Sequence, residues 1–151
     1  MTTNALHQKI HDYLNEVKMM HLATASNDTP WVCNVWFAAD KDLTIYWISS
    51  TRRRHSKELV KNSSVAASFC LPSQPNESDK GALQMEGTAT EVTNPIELAK
   101  ALKLYVARGF FTAAQVKNFM ASLDHPHRFY KISPERIVFF GSSAEEYLLK
   151  K

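Results

Sequence analysis

Glycine is scarce in this sequence, with four among 151 residues. Few glycines beside an aromatic share of 11% point to a filled core rather than long loops. Cysteine is nearly absent too. Cys33 and Cys70 each sit in an apolar stretch, and no Cys-x-x-Cys or Cys/His pairing offers the spacing of a zinc site. Both are expected to be buried free thiols of a reducing compartment. No apolar run reaches the length of a membrane span. The first residues lack the charged and apolar regions of a signal peptide, so the expected location is cytoplasmic. There is no internal repeat and no inter-domain linker. One domain over residues 1–151 is expected, and a chain of this size buries roughly two thirds of its unfolded surface.

Charge of one sign is also missing in bulk. The net charge is +3, from 18 basic and 15 acidic residues. That excludes a long polyanion as the partner that composition alone would imply. The distribution says more. The chain has six arginines, and three are consecutive, Arg52, Arg53 and Arg54. An isolated arginine cluster in a nearly balanced protein points to a small local anion.

Leu6, Ile10, Leu14 and Val17 recur at helical spacing, with Asn4 as the expected N-cap. A short apolar strand from Met19 to Ser26 follows, then a turn at Asn27-Asp28-Thr29-Pro30 and a strand from Trp31 to Ala39. After the turn Asp40-Lys41-Asp42 comes a third strand, Leu43 to Ser50. It is apolar on both faces and is expected to be covered on both. Residues 56–62 read as a short helix stopped at Asn62. Val65–Leu71 and Ala82–Thr93 read as strands, separated by a polar loop over 72–80. Gly87 marks a bulge or a close backbone approach. Asn94-Pro95 starts a helix that Gly109 ends, and a second helix runs from Thr112 to Ser122. Two strands, Phe129–Ile132 and Arg136–Phe140, are expected on either side of Ser133-Pro134, with a helical tail over 144–151. The order implies an α+β, mainly β, antiparallel barrel with helical decorations.

The segment that carries chemistry is Ser49-Ser50-Thr51-Arg52-Arg53-Arg54-His55. An aromatic strand ends in hydroxyls, passes through three arginines and enters a helix. Helix N-termini present free N–H groups and a positive dipole end, arginine adds charge-assisted donors, and the hydroxyls add neutral ones. Together these suit a phosphate monoester. A solvated basic turn and a nucleic-acid contact are the alternatives, but a nucleic-acid face needs basic residues spread along a groove.

These residues also carry a resemblance, in order along nearly the whole chain. The pieces are His21-Leu22-Ala23-Thr24, Pro30, Val35-Trp36-Phe37, Ile45-Tyr46-Trp47-Ile48-Ser49, the basic turn into Leu59, Gln84-Met85-Glu86-Gly87-Thr88-Ala89, and Phe129-Tyr130-Lys131-Ile132-Ser133-Pro134-Glu135-Arg136-Ile137. The set resembles the pyridoxamine 5′-phosphate oxidase-like family of FMN-binding split barrels. The resemblance implies a homodimer with FMN at the subunit interface. It matches Arg54 and His55, with Arg53 as a further candidate, to the phosphate contacts. Ile48 and Ser49 match the strand end near the flavin. Cys33, Asn34, Val35 and Trp36 match the strand along the isoalloxazine ring. Cys33 and Ala82 stand where the oxidase has polar flavin contacts, and Arg52 is the residue placed to compensate. Gly141 to Tyr147 is neutral to acidic where the oxidase proper carries a basic substrate motif. That implies a short branch of the family that does not oxidise pyridoxamine phosphate.

Other chemistry is thinner. His7 and His11 lie four residues apart but lack a third metal ligand, and are expected on a solvated face. His125-Pro126-His127 reads as a turn before a strand. No Ser/His/Asp set or carboxylate pair can be assigned, and Cys33 would be a nucleophile only if exposed and of low pKa. Trp31, Trp36, Trp47, Phe110 and Phe111 are expected in the core or a dimer interface. The functional expectation is an FMN-dependent oxidoreductase of unassigned substrate and catalytic residues. The alternatives are a non-catalytic flavin-binding module, and a split barrel that has lost FMN and binds another ligand such as haem.

Overall fold

β4 (Ile45–Ser50) is buried along its whole length, and the rest of the fold is arranged on its two sides. Ile45 and Trp47 enter the larger core beneath the sheet, whereas Tyr46 and Ile48 enter a second cluster under a helical pair. This is the doubly covered strand expected from its two apolar faces.

The computed structural model describes residues 3–72, 81–141 and 143–149. In chain order the other elements are α1 (Thr3–Glu16), β1 (Met19–Ser26), β2 (Thr29–Trp36), β3 (Ala38–Ala39), α2 (Arg54–Lys61), β5 (Ser64–Cys70), β6 (Ala82–Glu91), α3 (Pro95–Ala107), α4 (Ala113–Ala121), β7 (His127–Phe140) and β8 (Ala144–Leu148). The strands form one antiparallel sheet ordered β2-β1-β5-β6-β7-β4-β3, with β8 added to β7. The expected mainly antiparallel architecture with helical additions is therefore present, and β2 is an edge strand.

Local chemistry explains most boundaries. The β1–β2 hairpin turns on Asn27 and Asp28, both with positive φ (51° and 59°), between the paired Ser26 and Thr29. These residue types tolerate the left-handed region that tight hairpins use. The Asn94 side chain caps α3 by accepting from the N–H groups of Ile96 and Glu97. Thr112 and Gln115 form a reciprocal capping box on α4. Gly109, at φ 80°, makes the turn between the two helices. The stripe Leu6, Ile10, Leu14 and Val17 of the α1 segment is buried in the larger core. Each such side chain contributes about 1.5–3 kcal/mol on burial.

Several expectations need correction. Thr3 already lies in α1, so Asn4 is inside the helix rather than its cap. The strand expected over 31–39 is divided at Phe37 into β2 and β3. The two strands expected around Ser133-Pro134 are one, β7. The register shift between Glu86 and Gly87 leaves Glu135 without a partner on β6, a bulge that admits the neighbouring proline opposite Gly87. Residues 144–148 form a strand, because pairing with β7 over Arg136–Phe140 overrides their helical propensity. Cys70 is exposed, since the alternation of β5 turns it outward, and Cys33 is half-buried. His7 is not on a solvated face: its ring bridges the Tyr147 hydroxyl (2.8 Å) and the Lys41 carbonyl (2.7 Å). The polar loop expected after Pro72 lies outside the described residues. No helix among the described residues is long and apolar enough to cross a membrane.

Candidate functional site

α2 begins without a side-chain cap. Its N-cap residue, Arg53, has extended backbone, and its side chain makes no capping hydrogen bond to the first helical turn. The N–H groups at Arg54, His55 and Ser56 are thus left for another acceptor. Three basic residues at a helix start oppose the helix dipole, a local conflict typical of a site rather than of scaffold. The turn itself is built from within: Arg53 N–H donates to the Ser50 carbonyl (3.1 Å) and Arg52 N–H to Ser50 Oγ (3.2 Å).

A cleft of about 560 Å³ opens beside this turn. Its size falls within the range of small-molecule sites. Nine of the residues that the sequence places near the cofactor line it. From β2 come Cys33, Asn34, Val35 and Trp36. From the end of β4 and the start of α2 come Ile48, Ser49, Arg53, Arg54 and His55. Ala82 and Arg52 do not line it: Ala82 lies on β6 opposite Cys70 and Phe140, and Arg52 is exposed in the turn.

A chain of polar contacts supports the basic end. Arg54 Nε donates to Glu58 Oε1 (2.7 Å), and Thr24 Oγ1 donates to Glu58 Oε2 (2.6 Å). The Thr24 and Arg54 hydrogen bonds hold the Glu58 carboxyl below its ordinary value. The Arg54 guanidinium carbon also sits 4.3 Å over the Trp31 ring. His55 Nε2 lies 2.8 Å from Ser49 Oγ. Burial, then the Arg53 charge, lower the His55 pKa, so its ring is neutral at pH 7. Burial and the Glu58 charge push the Cys33 thiol up to about 11. A thiol held protonated at neutral pH is a poor nucleophile, so Cys33 serves as wall.

The remaining wall went unread in the sequence. Tyr105, Phe111 and Phe119 reach the cleft from α3, the α3–α4 turn and α4, and His127 from the start of β7. Trp36 stacks on Phe110 (5.6 Å, 17°) and meets Phe111 edge-on (5.5 Å, 69°), which ties β2 to the helical pair. The only sequence signal was the density of aromatics around Gly109, which reads equally well as core. Among the described residues no carboxylate lines the cleft.

The sequence model described as pyridoxamine 5′-phosphate oxidase matches residues 6–141. A UPF0306 protein of Pasteurella multocida is 26% identical over 99 residues, covering 64% of this chain and 66% of that one. Among solved structures, a haem-binding protein of Mycobacterium smegmatis superposes with a TM-score of 0.76 at 13% identity, over 98% of this chain and 58% of its own. General Stress Protein 26 of Bacillus anthracis gives 0.68 at 18% identity, over 95% and 98%. A Listeria innocua protein assigned to the pyridoxamine 5′-phosphate oxidases gives 0.66 at 20%, over 87% and 95%. At these identities the structures establish a shared fold. The chain spans less than two thirds of the Pasteurella and mycobacterial proteins.

Proposed function

The chain belongs to the pyridoxamine 5′-phosphate oxidase family, and from that premise we propose that its cleft binds FMN and that the protein is an FMN-dependent oxidoreductase working as a homodimer. One observation carries the reading: the uncapped start of α2, with Arg53, Arg54 and His55, opens into a cleft of about 560 Å³ with an aromatic wall. The donor set fits a phosphate monoester. Free N–H groups and guanidinium supply charge-assisted donors, and Ser49 and Ser50 supply neutral ones. The walls fit a flat ring system: Trp36 and Phe111 offer π surface, and β2 runs alongside through Cys33 to Trp36. FMN, when bound, supplies hydride or single-electron exchange. The chain's own residues grip the phosphate, fix the ring along β2 and exclude water.

The homodimer is supported by the sheet edge. β2 exposes Trp31 (40%), Val32 (60%) and Trp36 (42%). On the sheet face beside it Ala23 pairs with Ala66, His21, Ser68 and Gln84 form the neighbouring row, and Glu86 and Arg136 add charge at its far side. An apolar edge beside this face suits a second copy. Pyridoxamine phosphate is not the proposed substrate. Ala144–Leu148 is consumed by the fold, with Glu145 paired to Lys9 and Glu146 to Arg136.

The test is a titration of the protein with FMN and with riboflavin, followed by flavin fluorescence. FMN should bind at least tenfold more tightly, since only it carries the phosphate. Equal affinities would place the phosphate elsewhere, and failure to take up FMN would end the reading. Anaerobic bleaching of the bound flavin by NADH or NADPH then separates an oxidoreductase from a passive binder.

A second reading is haem in the same cleft. His127 lines it, and its Nδ1 is held 2.8 Å from the His125 carbonyl, which leaves Nε2 as a potential ligand. A Soret shift on adding haemin, lost in His127→Ala, would favour it.

A further inference from the structure

Tyr105 is 1% exposed, yet it lines the cleft. Its ring is fixed by three others: Phe110 (5.6 Å, 62°), Phe111 (6.5 Å, 16°) and Phe129 (5.7 Å, 84°). Its hydroxyl makes no hydrogen bond to any of the described residues. That is uncommon, because buried polar groups are paired in about nine cases of ten. The Trp47 indole nitrogen is also buried without a partner, but it is sealed inside the protein. The Tyr105 oxygen is not sealed, and the opening its side chain borders is the cleft. A rigid ring thus holds a donor without a protein partner at the cleft, where a bound molecule can meet it in place of water.

The wall around it narrows the chemistry of that molecule. Phe119 presents π surface beyond the Trp36 and Phe111 faces proposed for the flavin ring, which favours a flat conjugated partner. Among the described residues no carboxylate lines the cleft, so an amine or other cation meets no counter-charge from them. A carbonyl oxygen, by contrast, accepts what a tyrosine hydroxyl donates.

We propose that Tyr105 is the orienting hydrogen-bond donor of the cleft and that the molecule it orients is a planar, uncharged, conjugated carbonyl compound. This rests on the flavin reading in that the molecule shares the cleft with FMN. Burial raises the hydroxyl's pKa well above its ordinary value of 10, so it remains a donor throughout the physiological range. It therefore orients without giving up its proton.

The test uses calorimetric titration of the FMN-loaded protein, wild type and Tyr105→Phe. The probes are menadione, a flat quinone with two carbonyl oxygens, and 2-methylnaphthalene, which has the same frame without them. Tyr105→Phe should weaken menadione roughly tenfold, the value of one hydrogen bond. It should leave 2-methylnaphthalene and FMN unchanged. Menadione binding that is equal in both proteins overturns the proposal. So does a fall in FMN affinity of the same size, which would assign the hydroxyl to the flavin. The same comparison on flavin-free protein keeps the two readings apart. If the wild type takes up no FMN, the flavin reading fails, and the menadione difference still decides the role of Tyr105.

Discussion

Arg54 Nε donates to Glu58 Oε1 at 2.7 Å, one turn further along α2. The pair runs against the favoured order, in which the acid lies nearer the helix N-terminus. It is thus poorly explained as a device for stabilising the helix. It is well explained as a brace: Glu58 and the Trp31 ring together hold the guanidinium beside the uncapped N–H groups. Arg54→Ala should weaken FMN by about 2 kcal/mol, roughly 30-fold, the value of a charge-assisted contact. Riboflavin affinity should not change. Fluorescence titration of both flavins checks this, and an unaltered FMN affinity would remove Arg54 from the phosphate site.

Glu58 carries a pH signature. Its folded pKa lies below the ordinary 4.5, held there by Thr24 and Arg54. A lowered acid pKa contributes stability that is complete above the unfolded value and is lost as pH falls through the folded one. Glu58→Gln should therefore melt at a lower temperature than wild type at pH 7. The gap should close as both are acidified below about 4.5. A gap independent of pH would mean that the carboxylate charge is not what Thr24 and Arg54 use.

His55 offers an independent reading of the phosphate. In the free protein its ring titrates below 6.5, because burial and Arg53 disfavour the cation. Its neutral form thus adds stability above 6.5 that is lost as pH falls through the lowered value. A nearby phosphate, at about −1.5 to −2 charge, favours the imidazolium and should raise the pKa. Ring-proton titration by NMR, with and without FMN, measures the shift. A midpoint unmoved by FMN would show that the phosphate does not reach His55.

The basic turn was legible because its signal is local: charge, hydroxyls and a helix start all lie within seven residues. The cap at Asn94 was legible for the same reason, whereas the capping box at Thr112 was not read. What stayed hidden depends on contacts between distant segments. Tyr105 and Phe119 repeat at spacings that read as helix core, and only the packing of α3 and α4 against β4 and β7 turns them toward the cleft. The sequence Ala144-Glu145-Glu146-Tyr147-Leu148 has helical composition, and its strand form comes from β7 alone. Pro134 read as a strand end, since nothing in its neighbourhood announces the bulge that admits it.

Gly87 tests that bulge. A Cβ there would fall inside the van der Waals envelope of the Ser133 carbonyl oxygen and 3.0 Å from the Pro134 Cα, both backbone atoms that cannot swing away. Gly87→Ala should cost about 3 kcal/mol, the upper end for overpacking. The melting temperature should fall by on the order of 10 °C. FMN affinity of the folded fraction should hold, because Gly87 does not line the cleft. A melt within about 1 °C of wild type would mean that β6 and β7 separate at the bulge more easily than their pairing implies.

Val32 tests the second copy. It is 60% exposed on an edge strand and pairs with Ala23, so a charge there leaves the protomer intact. A buried, unpaired carboxylate across a dimer contact is another matter, and costs several kcal/mol at each of two symmetric positions. Val32→Glu should therefore run as a 17.1 kDa species in light scattering, with wild type at twice that mass. If FMN lies against the partner, the variant should also bind it more weakly, although Val32 does not line the cleft. A wild type that is monomeric at micromolar concentration would remove the dimer. A Val32→Glu monomer with full FMN affinity would keep the dimer but confine the flavin site to one chain.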